Sequence, residues 1–206
     1  MEAEKDTYKT ITQASKETLF KDRGSKFYGY AFPVTSEEEI KEHIEQLKKQ
    51  HYNARHWCYA WQIGKSYEHY RANDDGEPSN SAGMPIYGQL QSFEVTNVLV
   101  VVVRYFGGTK LGVGGLIQAY KTGAKLALEA SKIVKRTINE DFILKFEYPE
   151  MNTVMRIVKE EHLNITNQKL ELGCEYTISV RKKEANRIFE LFKNTYKVSI
   201  KKEEDN

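Results

Sequence analysis

The sequence predicts an α+β protein of two domains, 1–136 and 137–206. One observation is the run of mainly valine residues at 98–103, which is typical of a strand buried on both faces. Five glycines follow within residues 107–115, and a long helical pattern begins directly after them. The third observation is the order βαββαβ in residues 138–201, which predicts a ferredoxin-like sandwich.

The first elements follow from alternation and capping. Residues 10–34 alternate loosely and predict two strands with a break at 22–25. Ser36 with Glu39 three residues later forms a capping box, which predicts the start of a helix. The apolar stripe of that helix is Ile40, Ile44 and Leu47. The elements expected next are a strand at 54–63, a polar loop at 67–81, a short helix at 81–91 and a buried strand at 95–104.

The helix after the glycines is expected to reach about residue 131. Its inner face is predicted to consist of Leu116, Ala119, Tyr120, Gly123, Ala124, Ala127 and Leu128. The elements expected in the second domain are a strand at 138–148, a helix from Pro149, two strands within 163–180, a helix at 184–196 and a strand at 197–201.

The composition narrows the class of protein. Charged residues make up 29% and the mean hydropathy is −0.63, which favours a soluble protein. No apolar run approaches the roughly 20 residues of a membrane helix, so we expect no membrane partner. The start of the chain has no apolar signal-peptide region, and the two cysteines form no C-x-x-C motif. These features predict a cytoplasmic setting.

The glycine-rich segment is a candidate anion site. A strand, a glycine-rich loop and a helix start bring backbone N–H groups toward one point, with Arg104 and Lys110 beside them. Neither the Walker loop nor the dinucleotide fingerprint fits, because Lys110 follows Thr109 and Ile117 stands where a third glycine is needed. The alternative is that the glycines serve only a sharp turn and close helix packing.

Basic residues are concentrated around this segment. Residues 95–136 contain seven basic side chains against one acidic residue, Glu129. Lys121 and Lys125 share a helical face. The candidate residues for an anion or nucleic-acid site are Arg23, Lys26, Arg104, Gly107, Gly108, Lys110, Gly112, Lys121 and Lys125. The alternative is a solvated face whose acidic partners come from elsewhere, since a net charge of +2 alone implies no nucleic acid.

Residues 74–83 place three carboxylates within four positions. They are candidates for a divalent cation or for acid–base chemistry, but the spacing is not that of an EF-hand. We favour a structural loop formed by Asp74, Asp75, Gly76, Glu77, Pro78 and Gly83. In this interpretation Ser81 caps the next helix, and one carboxylate binds backbone N–H groups or Arg104.

His56 and Cys58 lie two residues apart on a predicted strand and therefore point to one face. A Cys–His nucleophile pair is the functional interpretation. The neighbouring Trp57, Tyr59 and Trp61 on the other face favour a packed strand instead. We therefore predict no catalytic residue, no metal site and no cofactor.

Four segments together resemble the YigZ/IMPACT family, an uncharacterised family, in its bacterial two-domain form. They are RGSKF at 23–27, ARHWCYA at 54–60, DDGEPSNSAG at 74–83 and VVVRYFGGTKLGVGGL at 101–116. The resemblance covers about residues 15–131, and the second domain looks like the family's bacterial C-terminal extension. Asn80 and Ser81 replace the usual Gly and Thr, but Asn tolerates positive φ and Ser caps helices, so the loop is expected to survive.

The resemblance implies an N-terminal α+β domain of the ribosomal-protein type, also found in translation factors, and a ferredoxin-like second domain. Eukaryotic relatives modulate the general-control kinase pathway, so the implied setting is translation. The leading hypothesis is a non-enzymatic RNA- or ribosome-associated protein that influences translation. The alternatives are a protein-binding regulator of a translation or stress pathway, or an enzyme acting on a phosphorylated small molecule. The identity of the ligand and the oligomeric state stay open.

Overall fold

The computed structural model describes residues 6–203, which divide into two compact units. One unit is Thr7–Arg136, and the other joins Asp6 to residues 137–203. Within this part of the chain, no helix has both the length and the apolar composition needed to cross a membrane.

The first unit is built on a five-stranded antiparallel sheet with the order β2-β3-β6-β4-β5. A separate ribbon pairs β1 with β7. The elements in chain order are β1 (Thr7–Ile11), β2 (Thr18–Asp22), β3 (Ser25–Pro33), α1 (Glu37–Gln50), β4 (His56–Ile63), β5 (His69–Asn73), α2 (Gly83–Phe93), β6 (Val98–Tyr105), α3 (Gly112–Glu129) and β7 (Ile133–Thr137).

The central strand β6 is buried on both faces, which confirms the prediction from its valine run. Val98, Val100 and Val102 face the cluster that includes α2 and α3. Leu99 and Val101, on the opposite face, belong to the cluster formed with α1. The sheet is therefore the middle layer of three, and the glycine-rich segment follows its central strand.

The helix starts and faces follow the sequence pattern. At α1, Glu39 N–H donates to Ser36 Oγ at 3.3 Å, and the Glu39 carboxylate accepts from Thr35 N–H at 2.6 Å. This reciprocal arrangement confirms the capping box, although the carboxylate reaches one residue further than the usual motif. The predicted inner face of α3 is also confirmed, because all seven of its members are buried.

Three strands differ from the prediction. The polar stretch 67–81 is not all loop, because His69–Asn73 forms β5. This strand pairs only with β4, so its exposed side chains lack the alternation that marks a half-buried strand. Likewise, residues 7–34 form three strands rather than two, and the β7 partner of β1 lies in the mainly polar stretch Ile133–Thr137.

The second unit has the ferredoxin-like fold that the element order predicts. Its elements are β8 (Asn139–Phe146), α4 (Met151–Glu160) preceded by a 3-10 turn, β9 (Asn164–Leu170), β10 (Cys174–Arg181), α5 (Lys182–Lys193) and β11 (Ser199–Lys202). The sheet is antiparallel with the order β11-β8-β10-β9. Alternate residues of β8 and β10 pack against both helices, so the helices cover one face of the sheet.

Candidate functional site

The segment between β6 and α3, residues 106–111, is called the glycine loop below. Its residue Gly107 packs directly against Gly24 of the β2–β3 turn. A Cβ atom on Gly107 would lie 1.9 Å from the carbonyl carbon of Gly24 and 2.1 Å from the backbone nitrogen of Ser25. Gly107 N–H also donates to Ser25 Oγ at 3.2 Å. The first and last motifs of the sequence therefore meet here, and the contact has no room for a side chain at position 107.

This contact brings Arg23 of the turn to the glycine loop, since Arg23, with a positive φ of 44°, directly precedes Gly24. Lys26, at the start of β3, pairs with Tyr105 of β6, so its side chain shares the face of Tyr105, which packs against the cluster formed with α1 and not toward α3. The side chains of Arg23 and Lys26 are exposed, as are those of Lys110 in the loop and Lys121 on α3. None of these four cations forms an ion pair with another residue in the range 6–203. Lys125 differs, because its ammonium lies 3.6 Å from the Glu129 carboxylate.

The backbone of the glycine loop is open on the outer side. Gly108 and Gly112 have positive φ values of 88° and 73°, which explains the need for glycine there. A Cβ atom at Gly108, Gly112 or Gly114 would meet no atom within 4 Å. Helix α3 begins without a side-chain cap and without an acidic residue in its first turn. Its first N–H groups are therefore available to an outside acceptor.

Arg104 lies beneath the loop rather than on its surface. Its side chain is only 7% exposed, and its Nη1 lies 2.7 Å from Oε1 of Glu77, whose side chain is 4% exposed. The hydroxyl of Tyr120 donates to the same carboxylate oxygen at 2.7 Å. The guanidinium carbon lies 5.6 Å from the ring centroids of both Phe27 and Phe106. Arg104 is thus committed to a buried ion pair, and a free anion would have to displace Glu77 to reach it.

Asp74 holds the segment 74–83, called the acidic loop below, through hydrogen bonds to its backbone. One of its carboxylate oxygens accepts from the N–H groups of Ala82 at 3.0 Å and Gly83 at 2.8 Å, and the other accepts from Asn80 N–H at 2.9 Å. These bonds cap the start of α2. The expectation that Ser81 caps this helix is wrong, because Ser81 Oγ instead donates to the Pro78 carbonyl at 2.6 Å. The carboxylate of Asp74, at the start of this loop, accepts hydrogen bonds from three N–H groups at once, whereas a single hydroxyl cannot.

The other two carboxylates have partners of their own. Asp75 accepts from the backbone N–H of Trp57 at 2.7 Å, and Glu77 pairs with Arg104. Asn80 adopts a positive φ of 60°, which an asparagine tolerates better than most residues. Each acidic side chain therefore points to a different structural contact. Among residues 6–203 there is no cluster of three His, Cys, Asp or Glu side chains that is suited to hold a metal ion.

His56 and Cys58 contact the same acidic loop through separate hydrogen bonds. His56 Nδ1 lies 2.8 Å from the Asp75 carbonyl, which only accepts, so this nitrogen carries the proton. The Cys58 thiol donates to the Asp74 carbonyl at 3.0 Å, and burial raises the pKa of this thiol well above its usual range. Cys58 is therefore a thiol rather than a thiolate, and the Cys–His nucleophile interpretation loses its support.

Three exposed apolar residues, outside the candidate site residues predicted from the sequence, lie in the glycine loop or on the helix that follows it. Phe106 is 49% exposed, Val113 is 53% exposed and Ile117 is 38% exposed. Val113, Ile117 and Lys121 are spaced by four, so they share the outer face of α3. A helical projection identifies this face, because none of the three lies on the predicted inner stripe. We call Arg23, Phe106, Lys110 and Lys121, with the exposed backbone of the glycine loop, the loop surface.

Comparisons with known proteins agree with these motifs. Residues 23–128 match the Impact N-terminal domain. The IMPACT family member YvyE of Bacillus subtilis (strain 168) is 33% identical over 184 residues, which covers 89% of this chain and 84% of that protein. The IMPACT family member YigZ of Escherichia coli (strain K12) is 36% identical over 119 residues, 57% of this chain and 58% of its own. This chain belongs to the IMPACT family.

A solved structure described only as a hypothetical protein shares the fold. It covers 98% of this chain and 100% of its own length, with a TM-score of 0.71 and 24% sequence identity. This likeness supports the α+β architecture of the chain and gives no information about its ligand.

Proposed function

We propose that this member of the IMPACT family associates with RNA or the ribosome through its loop surface and thereby influences translation. Membership of the family supports the translational setting that the resemblance to this family implies. A cytoplasmic location is part of this proposal. We expect the exposed cations of the loop surface to contact the RNA.

The observation that carries the proposal is the set of exposed, unpaired cations around an open backbone. Arg23 and Lys110 come from two segments that the Gly24–Gly107 contact brings together. Lys121 extends the positive charge along the outer face of α3. Basic side chains and free N–H groups are the groups that bind phosphates in complexes with nucleic acids.

The basic residues differ in whether an acidic side chain lies close enough to offset their charge. Lys110 and Lys121 lack an acidic partner in the range 6–203, whereas Lys125 is offset by Glu129. An exposed lysine with a nearby carboxylate contributes less field at the surface, since the two charges largely cancel at a distance. We therefore assign the main electrostatic role to Lys110 and Lys121, together with Arg23.

A salt titration of RNA binding tests this proposal. Affinity for a single-stranded RNA should fall with a log–log slope of about −0.7 for each phosphate contacted. The double variant Lys110→Glu with Lys121→Glu should bind far more weakly than the wild type at low salt, because repulsion replaces attraction. Ribosome co-sedimentation at low and high salt should show the same difference.

The matched control is Lys41→Glu with Lys49→Glu. Both lysines are exposed on α1, which covers the opposite face of the sheet, and the change in net charge is identical. This control should keep near-wild-type affinity at low salt. Equal affinities for the wild type and the Lys110/Lys121 variant would show that the loop surface does not bind the RNA.

A protein partner is the second candidate, and the exposed Val113 and Ile117 favour it. An apolar pair on an otherwise polar helix face is typical of a docking site for another protein. Binding of that kind depends weakly on salt and is sensitive to Val113→Ser with Ile117→Ser. The enzyme hypothesis instead predicts saturable binding of a small phosphate compound, sensitive to Lys110 and indifferent to Lys121.

A further inference from the structure

We infer that the ligand of the loop surface is single-stranded RNA and that Phe106 is a stacking platform for one of its bases. This inference rests on the proposed function and specifies the form of RNA and the contact that holds a base. It adds to the electrostatic attraction a contact that requires a nucleobase.

The platform has one covered side and one open side. The guanidinium of Arg104 lies over the Phe106 ring, 5.6 Å from its centroid. The ring is still 49% exposed, and it is not part of the hydrophobic core clusters of the first unit. The next two residues are Gly107 and Gly108, which have no side chains to shield it. A flat ligand therefore has access to the open face of the ring.

The support beneath the ring is rigid. Arg104 is held by Glu77, whose carboxylate also accepts a hydrogen bond from Tyr120, and both charged side chains are buried. Phe27 lies on Arg104 as well, at 5.6 Å from the guanidinium carbon. Because Glu77 and Phe27 both hold Arg104, the group that lies 5.6 Å from the Phe106 ring centroid keeps its position. A preordered platform lowers the entropy lost when a base binds.

The surroundings of Phe106 favour a nucleic acid over a protein segment. Arg23 directly precedes Gly24, whose backbone contacts Gly107, and Lys110 lies in the same loop as Phe106. An aromatic ring among unpaired cations matches the alternation of bases and phosphates along a strand. A single strand is required, because duplex RNA keeps its base faces stacked inside the helix.

The test compares two probes, a uridine dodecamer and an oligomer of the same length with abasic sugars. Phe106→Ala should weaken binding of the uridine dodecamer by about 5- to 150-fold, the range found when a base loses one aromatic partner. Binding of the abasic oligomer should be the same for the variant and the wild type, since that probe offers phosphates alone. Phe106→Trp should restore affinity for the uridine dodecamer.

Tyr70→Ala is the matched control. Tyr70 is 56% exposed on the edge strand β5 and pairs with Gln62, which lies opposite Val98 at the other end of β6 from Phe106, so its loss should leave both affinities unchanged. A Phe106→Ala protein that binds the uridine dodecamer as tightly as the wild type overturns the stacking inference and leaves the proposed function standing. Equal weakening toward both probes also overturns it, because that result indicates a damaged loop. Failure of the wild type to bind either probe refutes the proposed function itself.

Discussion

Replacing Glu77 by Gln removes one charge from the buried ion pair beneath the glycine loop while keeping the shape of the side chain. The amide oxygen of Gln still accepts hydrogen bonds from Tyr120 and from Arg104 Nη1, which lie 2.7 Å from the original carboxylate oxygen. The positive charge of Arg104 then stays buried without a counter-charge. We expect a large loss of stability in the unit Thr7–Arg136.

The magnitude follows from the burial of both partners. Their side chains are 7% and 4% exposed, so solvent screens the pair weakly. Removing one partner of such a pair costs about 3–5 kcal/mol. With a urea dependence of about 1–3 kcal/mol per molar, the midpoint of unfolding should fall by at least about 1 M. A double variant with Arg104→Met as well should recover much of this loss, because the unpaired charge is gone.

Tryptophan fluorescence during urea unfolding measures this effect selectively. The only two tryptophans, Trp57 and Trp61, both lie in the affected unit. The control is Glu129→Gln, which breaks an exposed pair at 3.6 Å and should cost no more than about 0.5 kcal/mol. A Glu77→Gln protein as stable as this control would show that the ion pair is not a structural requirement.

Two further predictions concern the glycine contact and the effect of pH. Gly107→Ala should destabilise by more than about 2 kcal/mol, because its Cβ would clash with the Gly24 backbone, whereas Gly114→Ala, whose Cβ meets no atom within 4 Å, should be neutral or stabilising by up to about 1 kcal/mol in the same urea assay. Burial lowers the pKa of His51 below 6.5, so the folded state binds fewer protons than the unfolded state, and stability falls as pH drops through this value. His51→Asn should flatten the urea midpoint between about pH 7.5 and pH 5.5, and an unchanged slope would contradict the assignment to His51.

The sequence predicted the elements whose cause is local. The capping box of α1 needs only Ser36 and Glu39, and β6 needs only a run of branched residues long enough to span the sheet. The strand β5 was missed because an edge strand exposes side chains that a buried strand hides. Its residues, HYRAN, have the polarity of a loop, and only their pairing with β4 makes them a strand.

The chemistry of the site depends on contacts far apart in the chain. Arg104 and Glu77 are 27 residues apart, and although the sequence suggested that a carboxylate of residues 74–83 could bind Arg104, it did not show that both charges are buried. The hydrogen bond between Gly107 and Ser25 spans 82 residues. Sequence reasoning found both motifs and both charges. It placed Arg104 with the exposed cations because a motif identifies residues without showing which of them face solvent.

The structure divides the motif residues into a buried set and an exposed set. Glu77 and Arg104, with Asp74 and Asp75, form hydrogen bonds and an ion pair that account for their presence through stability alone. Substitutions there would lower any activity by destabilising the fold, so they do not identify the ligand. Phe106 and the unpaired cations near it form no contact of that kind. Because an exposed ring and exposed like charges add little to the stability of the fold, variants at these positions separate function from folding.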